Sequence, residues 1–381
     1  MFEPIDSAES ELSFFEKLWQ INWVVVLLLC ATAGVGFAML YSAGNGSFDP
    51  WASRQIVRFG IGITMMLVIA LVDLKFWFRY AYAIYLVALL LLAAVEFAGF
   101  GAMGAQRWIN LGVIQLQPAE VMKITLVLAL ARYFHAANMI DLGRILYLIF
   151  PVLLVAGPTV LMIRQPDLGT AVMLAAAGGA VFFLAGVRLW MFGVALAALL
   201  AVVPVAWHFL HGYQKKRILT FLDPGSDPLG AGYHILQSKI ALGSGALFGK
   251  GFLQGTQSRL NFLPEKQTDF IFTMLAEEFG LAGGLGLLGL YFLLLAYGVG
   301  ISLRARCQFA RLLGMGVTVT FFLYLFINIG MVMGLLPVVG VPLPMISYGG
   351  TAMLAVLIGF GLLLCVGVHR DTRIGRRGLT E

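Results

Sequence analysis

The sequence predicts an all-α integral membrane protein of about ten transmembrane helices, with one long extracytoplasmic loop between the seventh and the eighth. Three observations predict it. The 381 residues are 60% hydrophobic and only 12% charged, with mean hydropathy +0.92, whereas soluble domains run near 45–50% apolar and about 25% charged. Apolar runs of about 20 residues recur along the chain, each long enough to cross the hydrocarbon core. The runs are continuous, without the alternation a membrane barrel strand needs.

In chain order, residues 1–21 form an N-terminal tail. Glu3, Asp6, Glu9, Glu11 and Glu16 outnumber the lone Lys17, the reverse of the basic start of a secretory signal. Phe14, Phe15 and Trp19 are suited to the membrane interface. The polytopic unit is 22–368, with spans expected at about 22–42, 55–72, 79–98, 119–135, 145–163, 168–186, 189–210, 270–300, 310–335 and 348–368. A basic tail, 369–381, follows. Ten spans return both ends to one side. That side collects Lys17, Lys75, Arg144, Arg188, Arg304 and Arg370, while the opposite short loops and helix ends hold Arg54, Arg58, Arg107 and Arg164. Positive charge stays in the cytoplasm, so both termini are expected there. The net charge of +6 then reflects topology and anionic headgroups. No basic stripe with aromatic platforms suggests nucleic acid.

Loops 43–54, 100–118, 211–269 and 336–347 emerge on the outer face. The loop 211–269 far exceeds the roughly 12–15 residues of ordinary connectors. Asp223-Pro224-Gly225 and Asp227-Pro228 are turn signals. Tyr233–Leu242 reads as a short amphipathic helix that could lie on the membrane, with Leu236 and Ile240 apolar and Ser238 and Lys239 polar. Glycines 243, 245, 249, 251 and 255 permit tight backbone turns. They make no P-loop, because Ser244 and Gly251 stand where that motif needs Gly and Ser or Thr.

Several polar residues interrupt this apolar background. Leu263-Pro264-Glu265-Lys266-Gln267-Thr268-Asp269 runs directly into an apolar helix, making Asp269 a candidate catalytic acid or base, or a helix N-cap. Glu120 and Lys123 stand three apart on one helical face. Either they form an ion pair that offsets its own insertion penalty, or they line a polar groove. Arg107 beside Trp108 suits phosphate pairing and sugar stacking, though Trp also anchors at interfaces. Arg54 and Arg58, one turn apart, can snorkel or bind phosphate. Asp167 is placed to cap the helix after it, and Ser347 to cap the last one. Cys30, Cys307 and Cys365 have no metal-site spacing and read as small buried hydrophobes.

Gly255-Thr256-Gln257-Ser258, Phe262-Leu263-Pro264-Glu265 and Thr268-Asp269-Phe270-Ile271-Phe272 resemble the long outer loop of the SEDS family (shape, elongation, division and sporulation). So do Gln106-Arg107-Trp108 with Gln117-Pro118-Ala119-Glu120, Gln165-Pro166-Asp167-Leu168-Gly169-Thr170 and Pro344-Met345-Ile346-Ser347-Tyr348-Gly349-Gly350, in the same order. The 223–234 and 336–342 segments favour the elongation branch over the division branch. Lys266-Gln267 and Thr351 depart from the usual pattern. The resemblance implies a peptidoglycan glycosyltransferase that polymerises lipid II at the outer leaflet of a bacterial inner membrane during elongation and rod-shape maintenance. It also implies a class B penicillin-binding protein (transpeptidase) and other elongation-complex membrane proteins as partners.

It further implies that Asp269 is catalytic. Arg54, Arg107, Trp108, Glu120, Lys123, Glu265 and Ser347 become the expected substrate contacts. An α-linked donor giving a β-1,4 product requires inversion by one displacement, hence a base and no protein nucleophile. Arg54, Arg107, Lys123 and the Lys215-Lys216-Arg217 cluster are candidate partners for the departing pyrophosphate. No dedicated metal cage is visible, although a divalent ion, magnesium or manganese, can assist pyrophosphate chemistry. The alternatives are a lipid II flippase or other transporter, since intramembrane charges mark transport paths, and a scaffold that only recruits a transpeptidase.

Overall fold

The computed structural model describes residues 13–98, 100–102, 105–110, 115–138, 140–209, 212, 215, 219–221, 223, 231–259 and 265–375. Residues 1–12, Lys216, Arg217, 224–230, 262–264 and 376–381, which carry several of the sequence signals, lie outside them.

Ten long helices coincide with the ten expected spans. They are α2 (Trp23–Ala43), α3 (Ala52–Leu71), α4 (Leu74–Ala98), α5 (Pro118–His135), α6 (Ile145–Arg164), α7 (Leu168–Ala185), α8 (Leu189–Phe209), α11 (Ile271–Arg304), α12 (Gln308–Val332) and α13 (Gly350–Val368). Eight are long and apolar enough to cross a membrane, so the chain is a multi-pass membrane protein. The other two are α5, which carries Glu120, Lys123 and Arg132, and α8, which is apolar along nearly its whole sequence but whose side chains are described without a gap only over Leu189–Ala198. Shorter helices are α1 (Phe14–Gln20), α9 (Ala231–Ser244) and α10 (Thr256–Arg259). The end of the N-terminal tail is thus helical, its start held by the Glu16 carboxylate accepting the Ser13 N–H at 2.7 Å.

The centre of the bundle is α5, α12 and α13. Between Pro118 and His135 nearly every α5 residue is buried, because α4, α7 and α12 surround it. α13 is buried along most of its length and packs chiefly on α3. Gly361 permits that approach, since a Cβ there would meet Ile69 and the Met66 carbonyl at 2.9 Å. The outer faces of α3, α4 and α6 expose large apolar residues such as Val57, Leu90 and Leu153, as expected of surfaces solvated by lipid.

Three features were not anticipated. The segment read as an outer loop, 100–118, contains a small antiparallel sheet. Its strands β1 (Phe100–Ala102), β2 (Ala105–Asn110) and β3 (Gln115–Leu116) lie in that order, with Trp108 opposite Phe100 and Ile109 opposite Leu116. Next, α11 is broken at Gly280, which adopts φ 65° and ψ −162°, a conformation open to glycine alone. The glycine-rich stretch fills the break. Leu281 and Ala282 donate to the carbonyls of Ala246 and Leu247, and Lys250 and Gly251 donate to those of Glu277 and Glu278. A Cβ on Gly249 (φ +78°) would lie 2.1 Å from the Glu278 carbonyl oxygen. These glycines exist so that two backbones can touch.

Finally, α9 leaves its apolar Leu236 and Ile240 exposed, as a membrane-lying face requires, but one of its polar residues turns inward. Ser238 is fully buried, donating to the Val332 carbonyl at 2.8 Å and lying 3.0 Å from Thr273 Oγ1. The cysteine reading also needs one correction: Cys307 and Cys365 are buried, but Cys30 is exposed.

Candidate functional site

Pro342 and Pro344 forbid a helix between α12 and α13, and the resulting irregular segment, 336–347, becomes the hub of the molecule. The Tyr291 hydroxyl donates to the Pro344 carbonyl at 2.5 Å. Gly36 of α2 lies against Met345, where a Cβ would be 2.5 Å from its carbonyl oxygen, and Gly169 of α7 lies as closely against Val339. Asp167 caps α7 as expected, accepting the Thr170 N–H at 3.4 Å. From inside, Asn328 of α12 clamps two strands of chain together. It is fully buried, and its Nδ2 donates to the carbonyls of Val341 (2.8 Å) and Asp269 (3.0 Å).

The turn 265–270 is thereby docked on the hub. The Ser347 hydroxyl donates to the Thr268 carbonyl at 2.6 Å and accepts the Leu343 N–H at 2.8 Å, and the Tyr348 N–H donates to the Gln267 carbonyl at 2.8 Å. Ser347 is therefore a staple between two loops and not the cap of α13, whose N-cap is Gly349. Gln55 of α3, fully buried, donates to the Ser347 carbonyl at 3.1 Å. Glu265 closes the turn itself, its carboxylate accepting the Thr268 hydroxyl at 3.0 Å. Lys266 is buried, and loss of hydration lowers its pKa below the usual lysine value. Asp269 is partly exposed and stands one residue before Phe270, the N-cap of α11, so the helix-cap reading of Asp269 does not hold. Its carboxylate faces Gly340 (φ +74°), where a Cβ would lie 3.5 Å from Oδ2.

Thr268 of this turn borders a cavity of about 650 Å³, lined also by Ser53, Arg54, Val57, Arg58, Ile61, Trp108, Gln115, Tyr348, Gly349, Gly350, Thr351 and Leu354. Arg54, Arg58 and Ile61 follow the spacing of one helical face. One end of the cavity therefore carries two guanidinium groups, and the wall below is apolar. The Arg58 guanidinium stacks 5.2 Å from the Tyr348 ring centre and crosses Gly350, whose missing Cβ would lie 2.9 Å from it. Trp108 reaches this cavity from β2. Arg107 precedes it on the same strand, but its side chain lies outside the described residues.

Glu120 and Lys123 do not line that cavity. They form a sealed pair, Nζ to Oε1 2.7 Å, with side-chain exposures of 1% and 4% for Lys123 and Glu120. Lys123 lies 4.1 Å from the Tyr324 ring centre and 3.7 Å from the Met173 sulfur, and the Tyr324 hydroxyl donates to the other Glu120 oxygen. Tyr324 and Asn328 are one turn apart on α12, so the pair braces the helix that holds the Asp269 backbone.

Thr268 and Tyr348 stand in the sequence motifs without a role of their own; Asn328 lacks any local signal, and the acids Glu277 and Glu278, also missed, have one: both interrupt an apolar run. Glu277 is fully buried and gathers Lys250 (2.8 Å), the N–H groups of Thr256 and Gln257 (2.8 and 3.0 Å) and the Thr256 hydroxyl (3.0 Å). It orders the 250–257 loop. Glu278 accepts the Ser42 hydroxyl at 2.5 Å. Among the described residues no three His, Cys, Asp or Glu side chains converge into a metal cage.

Residues 20–372 match the family model described as cell cycle protein, for FtsW, RodA and SpoVE. The peptidoglycan glycosyltransferase MrdB of Escherichia coli K12 is 43% identical over 363 residues, covering 94% of this chain and 96% of its own. A chain from a solved peptidoglycan synthase complex, in which polymerization and crosslinking are coordinated, superimposes with TM-score 0.80 at 34% identity, covering 93% of this chain and 99% of that one. The Thermus thermophilus rod shape determining protein RodA does so with TM-score 0.70 at 30% identity, covering 93% and 98%.

Proposed function

Because the chain belongs to the FtsW, RodA and SpoVE family and is a peptidoglycan glycosyltransferase, we propose that it polymerises lipid II with Asp269 as general base and Arg54 and Arg58 at the pyrophosphate. One observation carries this reading: a single docked turn, 265–270, presents the Asp269 carboxylate and, through the neighbouring Thr268, borders a cation-lined, apolar-walled cavity. A lipid-linked sugar diphosphate has the same division, with a charged head and a hydrocarbon tail.

In the proposed step, the acceptor sugar 4-hydroxyl attacks the anomeric carbon of the donor at the growing chain end. The new C–O bond forms as the bond to the lipid pyrophosphate breaks, and the pyrophosphate leaves with the electron pair. Asp269 takes the hydroxyl proton and later returns it to water, a role typically worth about 10²–10⁴-fold. Arg54 and Arg58 neutralise the charge that develops on the leaving phosphate. Trp108 offers a ring for sugar stacking, and Arg107 on the same strand adds a cation. Ser347, Glu265 and Asn328 shape the turn, and the Glu120–Lys123 pair acts at a distance by bracing α12. That a charged pair is sealed by Tyr324 speaks against a polar transport route along α5.

We place the reaction at the outer leaflet of a bacterial inner membrane with both termini cytoplasmic, on the distribution of Lys and Arg. A class B penicillin-binding transpeptidase is the proposed partner, supported by the likeness to a chain of a synthase complex in which polymerization and crosslinking are coordinated. The test is Asp269→Asn, purified with that partner and supplied with lipid II. Glycan polymer is expected to fall by at least about 10²-fold, while the Asn328 clamp is kept, because it holds the backbone carbonyl of residue 269. Normal polymerisation by the variant would remove Asp269 from the mechanism.

A further inference from the structure

A second pair of arginines lies far from the hub, where α6 and α8 begin. Arg144 directly precedes α6 and Arg188 directly precedes α8. The two starts are brought together because the Arg188 guanidinium rests on Gly143, where a Cβ would lie 3.0 Å from its Cζ and Nη2. Gly143, Arg144, Ile145, Leu146, Tyr147 and Trp190 line a cavity of about 650 Å³. Both arginines are exposed, and neither guanidinium has an ion-pair or hydrogen-bond partner among the described residues. Apolar surface adjoins them directly: Leu146 is 82% and Leu189 70% exposed.

We propose that this cleft is a binding site for the headgroup of an anionic phospholipid of the phosphatidylglycerol type. Two guanidiniums with no partner among the described residues, at the start of membrane helices and beside leucines that must face acyl chains, call for an anion attached to hydrocarbon. Arginine forks bind phosphate oxygens two at a time, and basic pockets between transmembrane helices are the expected form of headgroup sites. The phosphate sits between Arg144 and Arg188, Trp190 lies at headgroup depth, and the acyl chains run along Leu146 and Leu189. A zwitterionic lipid would bring an ammonium towards two arginines and is disfavoured. Free phosphate gains nothing from the apolar flank. In the orientation proposed above, the lipid belongs to the cytoplasmic leaflet.

The experiment reconstitutes the full chain in nanodiscs of mixed phosphatidylglycerol and phosphatidylcholine, then releases it into detergent and counts retained lipids by native mass spectrometry. The wild type is expected to retain phosphatidylglycerol over phosphatidylcholine. Arg144→Gln and Arg188→Gln should each lower that retention about fivefold, and the double variant about thirtyfold. Arg306→Gln, whose native partner is Asp371 at 3.0 Å, should leave it unchanged. Retention by the wild type should fall with added sodium chloride, a measurement that needs no variant, and the Arg144→Lys/Arg188→Lys pair should keep it within a few-fold. Equal retention of the two lipids by the wild type, undiminished retention in a double variant that melts normally, or displacement by inorganic phosphate at millimolar concentration would each overturn the proposal.

Discussion

Replacing Lys123 with Met removes half of a sealed ion pair and separates a structural role from a substrate contact. At 2.7 Å the attraction is about 6 kcal/mol at an effective dielectric of about 20, and the Tyr324 face adds up to about 2 kcal/mol in a desolvated setting. Dehydration of the two ions opposes this by several kcal/mol each. The measurable quantity is therefore not the attraction but the penalty of leaving Glu120, 3% exposed, charged and alone. That penalty is about 3–5 kcal/mol. Lys123→Met should lower the thermal midpoint in detergent and, by loosening Tyr324 and so Asn328, reduce polymerisation of lipid II. The double variant Glu120→Gln/Lys123→Met carries no buried charge, and its Gln oxygen can still accept the Tyr324 hydroxyl. It should regain most of both stability and activity. Melting by intrinsic fluorescence and gel analysis of glycan strands report the two separately. Lys123 touches substrate and does not merely brace α12 if Lys123→Met melts like the wild type yet makes no polymer, or if the double variant recovers stability but not synthesis.

Three further outcomes are expected. Gly340→Ala puts a side chain on a residue with φ +74°, so it should destabilise by roughly 1 kcal/mol and, by straining the backbone beside Asp269, reduce turnover; an unchanged thermal midpoint would show that the hub tolerates a side chain at 340. Arg58→Lys should fail to restore the activity lost in Arg58→Ala, because lysine cannot both stack on Tyr348 and fork to phosphate; full rescue in the polymerisation assay would reduce Arg58 to a point charge. Lys266, whose pKa is lowered by burial, binds its proton less tightly in the fold than in the unfolded chain. Its charge therefore opposes folding below the folded pKa, and the opposition is relieved as pH rises from there towards the ordinary lysine value. The wild type should accordingly gain stability across that alkaline window and Lys266→Met should not; melting midpoints of the two that shift in parallel with pH would contradict the assignment.

The spans were legible because each must satisfy hydrocarbon by itself: about 20 apolar residues are needed wherever the helix lies in the bundle. Even α5, which carries three charges, was found from its apolar remainder. The sheet at 100–116 was not, since its strands are short and pair only across one another. The Gly280 break hid inside an unbroken apolar run, because its compensation, the 246–251 backbone, comes from another part of the chain. Within the site, Asp269, Arg54, Arg58 and Trp108 were visible as polar or aromatic residues at spans' ends. Asn328 was not, because one buried amide in an apolar helix has no pattern. Its meaning lies in the two carbonyls it joins, Asp269 and Val341.

The sequence by itself determined the solvent this protein folds in, the places of its ten long helices and, through ordered motifs, its family. These properties are local or cumulative, so they can be read one residue after another. Only the tertiary structure decided what the polar residues do. It made Ser347 a staple and not a cap, sealed Glu120 and Lys123 behind Tyr324, set Asp269 beside Gly340, and gathered Arg54 and Arg58 around the cavity that Thr268 borders. Hydrogen bonds and buried charges depend on partners tens to hundreds of residues away, and only packing brings those partners within 3 Å.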